Sequence, residues 1–482
     1  MDPTACRQAF MFDPIIISFV ACLIVFTVIG AYASRYKTGT TEDYLLAGRS
    51  IGPWFMALSA VSTNNSGFMF IGLIGTTYTM GLSAVWIMVG WIFGDYLMWF
   101  WIHRRLREGS EAGQARTIPS FLAKGLPGGG RLVQTTAAII TLAFLGTYSA
   151  AQLNAGSKAL HVLFGWPYAV GAIVGAVIVV IYCFAGGIRA SIWTDVVQSV
   201  NMIFAVALLF GLGLYEVGGF GSLWTQLEAI DPQLVRWSPP NPRFGFALFI
   251  FGWFGAGIGV VGQPHIMVRA MSIRSGADIA KARDIYLVWY LLFTFCCYGV
   301  ALACRILIPD VGAFDAELAL PTLALQYLPG VLVGLVLAGL FAATMSTADS
   351  QVLSCSAALT QDLFPGWSES YAKSKISTLL VAAAVLCIAL YGTQNVFALV
   401  TLSWSALGAS LGPLLVVRAM RWRINAASGF GMMLGGLAGV IVWGKVLGYG
   451  DDLFEAMPGF LLSFAVYLVM RPRRTADTSS AE

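Results

Sequence analysis

Long apolar runs alternate with short polar connectors along the whole chain. A membrane-spanning helix needs roughly 20 apolar residues, and by this measure the pattern predicts about thirteen spans. The predicted spans are 14–34, 52–80, 83–103, 131–160, 166–185, 190–217, 243–265, 284–308, 329–362, 375–393, 395–418, 424–447 and 456–470. Because the connectors are too short to hold a soluble domain, the sequence predicts an all-α membrane protein with a single transmembrane domain over residues 1–482.

Composition supports this fold class. Hydrophobic residues make up 58% of the chain and charged residues only 11%, whereas soluble domains carry about 25% charged residues. A β-barrel of the outer-membrane type is excluded, because its strands alternate apolar and polar positions over about ten residues. The small net charge of +4 gives no indication of nucleic-acid binding. The expected surroundings are the lipid bilayer, and nothing in the pattern indicates an obligate protein partner.

The distribution of basic residues predicts the orientation. Lys and Arg are enriched in cytoplasmic loops, and an odd number of spans places the two termini on opposite sides. With the C-terminus in the cytoplasm and the N-terminus outside, all but six of the 28 basic residues fall in inner segments. The exceptions are Arg7, Lys158, Arg236, Arg243, Arg305 and Lys445. This pattern predicts a multi-pass protein of a bacterial plasma membrane, the inner membrane.

Three acidic residues lie more than one turn inside a predicted span, namely Asp95, Asp195 and Asp349. Inserting a carboxylate at the bilayer centre costs about 2.5–3.5 kcal/mol on insertion scales, so such a residue is a functional candidate by default. The alternative for each is a hydrogen-bonded partner within the helix bundle. We favour a functional role for Asp195 and Asp349, and a packing role for Asp95, because its largely aromatic neighbours indicate no site.

Two spans carry sequences that disfavour a continuous helix. In the second span, the small and polar residues Ser59 to Gly67 interrupt an apolar run. In the seventh span, Pro264 follows five glycines between positions 252 and 262. Interrupted helices let transporters bind ions and solutes near the membrane midplane, although small residues also serve close helix packing.

The two interruptions are five spans apart and therefore suggest an inverted repeat of two five-helix halves. The halves would cover about residues 50–217 and 243–418. One peripheral helix would precede them, at 14–34, and two would follow, at 424–447 and 456–470. In this arrangement the binding site lies between the two broken helices.

The ninth span contains a cluster of hydroxyl side chains beside an acid. Positions 343, 346, 347 and 350 share one helical face, and Asp349 lies on its flank. Oxygen ligands without Cys or His suit an alkali or alkaline-earth cation rather than zinc or copper. The alternative is that these hydroxyls bond back to the preceding helical turn.

Four segments resemble known sequence signatures. The segment 186–198, GGIRASIWTDVVQ, and the segment 49–54, RSIGPW, resemble motifs of the sodium:solute symporter family. The segments 262–269, GQPHIMVR, and 345–347, MST, resemble the bacterial sodium/proline branch of that family. The resemblance covers roughly residues 40–365, and the four motifs occur in the same order.

The resemblance implies a 5+5 inverted repeat of the sodium/leucine-transporter type and secondary active transport by alternating access, with Na⁺ as the coupling ion. Carried over by position, it implies a sodium site formed by the carbonyl oxygens of Ser62, Asn65 and Ala343 and the hydroxyls of Ser346 and Thr347. Some relatives have a second cation site. Its residues here would be Asp195, Ser346, Asp349 and Ser350.

The chain also departs from the proline branch. Asn64 stands where that branch has an acid, and we expect Asp349 to restore the missing charge nearby. Small residues stand where that branch places aromatics in the seventh span, so a differently shaped solute cavity is expected. The residues expected to line this cavity are Asn64, Ser66, Gly67, Trp253, Ala256, Val260 and Gln263.

The predicted function is sodium-coupled import of a small organic solute, with proline or another amino acid as the first choice. Two alternatives stay open, a sodium symporter for a small organic acid and a proton-coupled carrier in which Asp195 and Asp349 take up protons. An enzyme is disfavoured, because none of the three histidines falls in the middle of a predicted span and no nucleophile–base pair is evident. A nucleotide-binding motif is also missing from the sequence, which disfavours an ATP-driven pump.

Overall fold

The computed structural model describes residues 13–36, 38–308 and 314–472, and within these ranges the regular elements are helices. The α-helices are α1 Pro14–Ala33, α2 Thr41–Leu46, α3 Pro53–Gly67, α4 Ile74–Met80, α5 Val85–Met98, α6 Arg104–Ala112, α7 Ile118–Ala123, α8 Gly130–Ile140, α9 Gly146–Phe164, α10 Tyr168–Glu216, α11 Gly219–Ile230, α12 Phe246–Ile258, α13 Pro264–Ser272, α14 Ile279–Leu307, α15 Ala319–Tyr327, α16 Gly330–Ala357, α17 Tyr371–Tyr391, α18 Val396–Ala419, α19 Ala426–Ile441 and α20 Ala456–Met470. π-Helical turns continue several of them, at Phe68–Leu73, Trp99–His103, Thr141–Leu145, Ala358–Leu363 and Val442–Val446.

Every predicted span falls on one or more of these helices. Among the described residues, nine helical stretches are long and apolar enough to cross a membrane, and the bent pair Phe246–Gly262 and Pro264–Ser272 adds a tenth. The helices over Tyr168–Ile181 and Ala456–Met470 are apolar but shorter. The count of thirteen therefore stays a prediction. The basic residues Arg7, Lys37, Arg473 and Arg474, which enter the predicted orientation, lie outside the described residues.

The predicted interruption of the second span is confirmed. Near the end of α3, Ser66 has φ 39° and ψ −178°, a conformation that L-residues rarely adopt and that no helix contains. A π-helical turn, Phe68–Leu73, follows the break before α4 begins. Side chains of Ser and Asn compete with the helix for backbone hydrogen bonds, which favours a break here rather than in the flanking apolar runs.

The seventh span is also broken. After α12, the chain forms a 3₁₀ turn at Gly259–Gly262, becomes extended at Gln263, and resumes as α13 at Pro264 with a bend of 53°. Proline lacks an N–H and has a φ suited to the first helical turn, so it begins the second half-helix.

One expectation about this span is wrong. The predicted span ended at residue 265, which placed Arg269 in an inner loop and His265 just before it. In the structure α13 extends to Ser272, and both His265 and Arg269 are fully buried in the bundle. His265, which was the last residue of the predicted span, thus lies inside the second half of the broken helix.

Glycine allows the second broken helix to pack closely on its neighbours. A Cβ on Gly257 of α12 would overlap the carbonyl oxygen of Trp91 in α5, and one on Gly262 would lie 2.5 Å from the carbonyl oxygen of Leu407 in α18. The glycines thus allow close contact between helix backbones, in addition to favouring the break in the helix.

The ends of the two broken helices meet at the face predicted to be cytoplasmic. Ile51, just before α3, donates from its N–H to the carbonyl oxygen of Ser272 at 3.2 Å, and Arg274 donates back to the Ile51 carbonyl at 2.9 Å. The Arg49 guanidinium donates to the carbonyl oxygens of Met271 and Ala115 at 3.0 and 2.9 Å. These bonds hold the start of α3 and the end of α13 together.

At the opposite face, a buried lysine is held by two acids. Lys158 of α9 lies 2.7 Å from carboxylate oxygens of both Asp315 and Glu317. Glu317 also accepts hydrogen bonds from the backbone N–H groups of Val396 and Phe397, at the start of α18. This arrangement gives Lys158, one of the six basic residues outside the predicted inner segments, an acidic environment.

The very long helix α10 contains a kink that separates the predicted fifth and sixth spans. Gly187 has φ 59° and ψ −149°, and a Cβ there would lie 2.5 Å from the Tyr44 carbonyl oxygen. Five shorter helices between the spans were not predicted, because segments of this length cannot cross the bilayer. They are α2, α6, α7, α11 and α15.

Candidate functional site

Hydroxyl groups of α16 contact the broken helix α3. The Ser62 and Ser346 hydroxyl oxygens lie 3.1 Å apart, and Thr347 donates to the carbonyl oxygen of Thr63 at 3.1 Å. Ser346 and Thr347 also donate to the Ala343 carbonyl oxygen at 3.3 and 3.1 Å. All of these residues are fully buried. The structure therefore brings together Ser62, Ala343, Ser346 and Thr347, four of the five residues that the family resemblance implies for a sodium site.

Asn65, the remaining predicted member of this group, is also fully buried. Its carbonyl oxygen accepts the N–H of Phe68 across the break. Its side-chain amide has no hydrogen-bond partner among the described residues, on either the oxygen or the nitrogen. Buried amides are almost always bonded, so this group requires a ligand or water.

A second cluster lies next to the first and contains a buried ion pair. An Arg269 guanidinium nitrogen lies 2.9 Å from Asp195 Oδ2 and 2.5 Å from the Ser350 hydroxyl. Ser59 of α3 donates to the same Asp195 oxygen at 2.5 Å and accepts from Arg269 Nε at 2.7 Å. Asp195 and Arg269 have no exposed side-chain surface. Such a pair is stable only because each charge is neutralised and hydrogen-bonded by the other.

Asp349 adds another carboxylate to this cluster. Its Oδ1 accepts hydrogen bonds from Ser350 at 2.9 Å and from Ser191 at 3.2 Å. Ser350 in turn donates to the Ser346 carbonyl oxygen at 2.6 Å, which joins the two clusters. The predicted residues Asp195, Ser346, Asp349 and Ser350 are thus close together, but the guanidinium of Arg269 lies among them.

The residues at the two breaks meet a group of aromatic and amide side chains. The Ser66 hydroxyl lies 3.4 Å from the Tyr148 hydroxyl, and the Gly67 N–H donates to Gln152 Oε1 at 2.9 Å. The Tyr148 ring packs edge-on against His265, with 5.5 Å between ring centroids. This contact brings the break in α3 next to the start of α13.

Gln263 completes this group from the second break. Its side-chain N–H donates to the Trp404 carbonyl oxygen at 3.0 Å, and the Trp404 ring lies 6.3 Å from that of Tyr148. Several buried polar atoms around the breaks have no partner among the described residues. They belong to the side chains of Asn64, Asn65, Gln152, Gln263 and His265. A set of unpaired donors and acceptors between two broken helices is suited to a small polar solute.

The other predicted lining residues contribute differently. Trp253 stacks on Phe454, 4.2 Å between ring centroids, and lines a cavity of about 530 Å³ together with Phe397. Ala256 and Val260 contribute their carbonyl oxygens, which accept from the Trp404 indole at 2.7 Å and from the Gln263 N–H at 2.9 Å. The structure therefore does not place Trp253 at the break with Ser66 and Gly67.

Cavities approach the breaks from both ends of the bundle. The cavity beside Trp253 lies at the end of α4 and the start of α12, and includes Glu455, outside the spans, whose pKa is raised by burial. At the other end a crevice of about 30 Å³ reaches Arg269 and Ser350. Phe397 stacks on Phe68 with 5.5 Å between centroids, between the larger cavity and the break.

Comparison with known proteins gives the family. The sodium:solute symporter family matches residues 44–439. The chain belongs to the sodium:solute symporter family. It is therefore a sodium-coupled symporter, a multi-pass membrane protein whose ligands include a solute and the sodium ion, and its relatives are transporters and not enzymes.

Curated relatives support this assignment, and solved structures support the fold. The symporter is 32% identical to the sodium/proline symporters of Staphylococcus aureus strains JH9 and N315 over 467 residues, 93% of this chain and 90% of theirs. Its structure is similar to that of a Na⁺-coupled sialic acid symporter in a substrate-bound outward-open state, with a TM-score of 0.79, 17% identity and coverage of 96% and 99%. It is also similar to the nucleobase-cation-symport-1 family transporter Mhp1, with a TM-score of 0.53, 17% identity and coverage of 90% and 96%. The predicted helical transporter fold of the sodium/leucine-transporter type is confirmed.

Sequence reasoning missed several residues of the symporter's site. Arg269 was assigned to a loop, although its place five residues after Pro264 indicates the second turn of a new helix. The other missed residues are Tyr148, Gln152, His265 and Trp404. Tyr148, Gln152 and Trp404 lie in apolar or mixed helices, where no local sequence pattern distinguishes a site residue from a packing residue. Only the tertiary contacts identify them.

One predicted relation is not observed in the symporter. Asp349 was expected to supply charge near Asn64, but Asp349 bonds to Ser191 and Ser350. The acid in contact with Asn64 is Asp95 of α5, at 3.5 Å between Asn64 Nδ2 and Asp95 Oδ2.

Proposed function

We propose that this symporter imports proline or another small amino acid together with Na⁺ across the inner membrane of a bacterium. The 32% identity to sodium/proline symporters over nearly the full chain supports this choice of solute class. The basic residues support an N-terminus outside and a C-terminus in the cytoplasm. The transporter forms one domain, with inverted repeats at about 50–217 and 243–418 and peripheral helices at about 14–34, 424–447 and 456–470.

The sodium site in this proposal lies between α3 and α16. Its ligands are the carbonyl oxygens of Ser62, Asn65 and Ala343 and the hydroxyl oxygens of Ser346 and Thr347. The observation that carries the proposal is the contact of the Ser346 and Thr347 hydroxyls with the segment Ser62–Thr63, at 3.1 Å in both cases. A set of uncharged oxygens suits a hard monovalent cation. Sodium bound here joins the broken helix to α16 and so couples ion binding to the position of the break.

A second cation site is proposed at Asp195, Ser346, Asp349 and Ser350. Arg269 neutralises one of the two carboxylates in this cluster, at 2.9 Å from Asp195. The carboxylate of Asp349 then supplies the charge for a second sodium ion. A proton on Asp349 is the alternative, and it would make the transporter partly or wholly proton-coupled.

The solute site lies between the two breaks. Ser66, Gly67 and Gln263 surround it with Asn64, and the unpaired amide groups there can serve both the amino and the carboxylate group of an amino acid. Ala256 and Val260 are proposed to line the site through the backbone of the second break, where their carbonyl oxygens accept from Trp404 and Gln263. Trp253 lines the approach from the larger cavity. A small organic acid is the alternative solute, because a neutral Asn64 binds no ammonium group through charge.

The sodium gradient supplies sufficient energy for accumulation. Moving one charge through 100 mV is worth about 2.3 kcal/mol, and a tenfold sodium gradient adds about 1.4 kcal/mol. One sodium ion per cycle can therefore concentrate a neutral solute by roughly two to three orders of magnitude.

The test is uptake of radiolabelled L-proline into proteoliposomes. An inward sodium gradient should drive accumulation, and an equal potassium gradient should not. The variant Ser346→Ala/Thr347→Ala should lose sodium-driven uptake, since both proposed hydroxyl ligands are removed.

The chain offers a matched control. Ser377 and Thr378 are an adjacent, fully buried pair whose hydroxyls bond back to the Ser374 carbonyl oxygen at 2.8 and 3.0 Å, as Ser346 and Thr347 do to Ala343. They face Ser356 rather than a broken helix. Ser377→Ala/Thr378→Ala should keep sodium-driven uptake. Accumulation driven by a proton gradient alone would refute sodium coupling, and sodium-dependent stabilisation without proline uptake would point to another solute.

A further inference from the structure

Asp95 lies in the middle of α5 and contacts residues of two other helices. Its Oδ2 accepts a hydrogen bond from the Tyr286 hydroxyl of α14 at 2.6 Å and one from Asn64 Nδ2 of α3 at 3.5 Å. Asn64 Nδ2 also donates to the Tyr286 oxygen at 2.5 Å. The three side chains form a closed triangle, and Asp95 is only 1% exposed.

Two oxygens of this triangle are unpaired. Asp95 Oδ1 and Asn64 Oδ1 are both buried and have no partner of normal hydrogen-bond geometry among the described residues, although the Trp99 indole lies near Asp95 and the Tyr290 hydroxyl near Asn64. Asp95 forms no ion pair with any residue that the structure describes, whereas Asp195 pairs with Arg269. A buried carboxylate without a counter-charge is costly in a membrane protein and marks a site where positive charge binds.

Among the residues that the structure describes, the groups packed around Asp95 are aromatic or neutral. The Tyr286 ring packs at a tilt against Trp99 and edge-on against Tyr290, at 4.9 and 5.6 Å between ring centroids. Trp99 in turn stacks on His103, at 4.1 Å, whose Nε2 also has no partner among the described residues. The carboxylate is therefore enclosed by aromatic rings and neutral polar groups.

We propose that Asp95, Asn64 and Tyr286 form a further binding site for a small monovalent cationic group, either a sodium ion or the ammonium group of the solute. A carboxylate oxygen and an amide oxygen, both free to accept, are the ligand types that either group requires. The packing role favoured for Asp95 on sequence grounds is thereby replaced. This proposal rests on the proposed function, because Asn64, one of its three residues, belongs to the broken helix α3 of the proposed solute site.

The position of Asn64 links this site to the transport cycle. Asn64 precedes the strained residue Ser66 by two positions, so it lies directly beside the break in α3. The Ser346 and Thr347 hydroxyls contact α3 at Ser62 and Thr63, and Asp95 contacts it from α5. A cation at Asp95 therefore joins the broken helix to α5 and α14, while the proposed sodium site joins it to α16.

The test uses the full-length protein purified in detergent and measures thermal stabilisation by ligand. Sodium chloride is titrated against choline chloride at constant ionic strength, and L-proline is titrated at saturating sodium. The isosteric variant Asp95→Asn should raise the half-saturating concentration of one ligand by about tenfold or more, as expected for losing a charge-assisted contact. A shift in the sodium titration without proline identifies sodium, and a shift only in the proline titration identifies the ammonium group.

The double variant Asn64→Asp/Asp95→Asn supplies the decisive comparison. It places a carboxylate on α3 in place of the one removed from α5, so the triangle keeps one negative charge. The double variant should therefore restore at least part of the lost affinity. Unchanged titrations in Asp95→Asn would overturn the proposal, as would lowered ligand-free stability with no rescue by the double variant. A change confined to the pH dependence of stabilisation would also overturn it, in favour of a proton site.

The outcome can be separated from failure of the proposed function. If the wild-type protein gains no stability from sodium, the proposed function itself fails. If sodium stabilises the wild type and Ser346→Ala/Thr347→Ala abolishes this effect while Asp95→Asn leaves both titrations unchanged, only the further site is refuted.

Discussion

Asp195 and Asp95 are both buried acids inside helices, yet their surroundings differ. Asp195 shares its Oδ2 between Arg269 at 2.9 Å and Ser59 at 2.5 Å. The corresponding oxygen of Asp95 accepts hydrogen bonds from the neutral groups of Tyr286 and Asn64. The first acid is neutralised by Arg269, and the second has no ion-pair partner among the residues that the structure describes. A carboxylate within a membrane span therefore indicates a structural ion pair or a ligand site, depending on what the neighbouring helices supply.

The largest expected effect comes from neutralising each acid in turn. Asp195→Asn leaves Arg269 buried without its partner, which should lower the free energy of unfolding by about 3–5 kcal/mol. Asp95→Asn removes an unpaired charge and keeps an oxygen for the Tyr286 hydroxyl, so stability in sodium-free buffer should be unchanged or higher. Thermal unfolding of both variants in choline chloride measures the difference.

The pair itself provides the control for this comparison. In Asp195→Asn/Arg269→Gln both charges are removed together, and much of the lost stability should return. If Asp195→Asn and Asp95→Asn destabilise the protein equally, the distinction between a paired and an unpaired acid is wrong.

A smaller effect is expected at Ser59, which bonds both members of the ion pair. Ser59→Ala removes a donor to Asp195 and an acceptor for Arg269, and hydrogen bonds to charged groups are worth about 1.5–3 kcal/mol. The loss should largely disappear in the Asp195→Asn/Arg269→Gln background, as a double-mutant cycle by thermal unfolding can show. An undiminished loss there would mean that Ser59 acts through helix packing alone.

Tyr286→Phe is the corresponding change at the unpaired acid. It removes the hydrogen bond to Asp95 and the one from Asn64, and should cost about 1.5–3 kcal/mol in sodium-free buffer. Without the Tyr286 hydroxyl, the Asp95 carboxylate has one hydrogen-bond donor fewer and is more costly to bury. A bound cation then relieves a larger cost, so sodium or solute should stabilise this variant more than the wild type. Equal ligand stabilisation in the two proteins would argue against binding at Asp95.

The smallest effect is expected at Asp349. Ser191 donates to it at 3.2 Å, but Ser350 donates to the same oxygen at 2.9 Å and remains in Ser191→Ala. The loss of stability should be about 0.5–1 kcal/mol. A loss above that of Ser59→Ala would show that Asp349 carries a full negative charge that depends on Ser191.

Much of the fold was predictable because long apolar runs have few alternatives to crossing the bilayer. The polar run ending at Gly67 and the glycines before Pro264 predicted both breaks, since each disfavours a continuous helix. The helical period also predicted that Ser346 and Thr347 share a face.

What could not be predicted depends on how helices are rotated against one another. Arg269 lies in the candidate site because a new half-helix begins at Pro264. Counting about 20 apolar residues instead ends the seventh span near that proline. The contact between Asp95 and Asn64 joins residues of two helices that no local pattern relates. Asp349 could be recognised as unusual, but its bonds to Ser191 and Ser350 depend on the packing of α16 against α10.

The most direct test of the proposed sodium site is equilibrium binding of radioactive sodium to the purified protein. The wild type and Ser377→Ala/Thr378→Ala should bind the same number of ions, and Ser346→Ala/Thr347→Ala should bind at least one fewer. Equal binding by all three proteins would contradict a sodium site between α3 and α16.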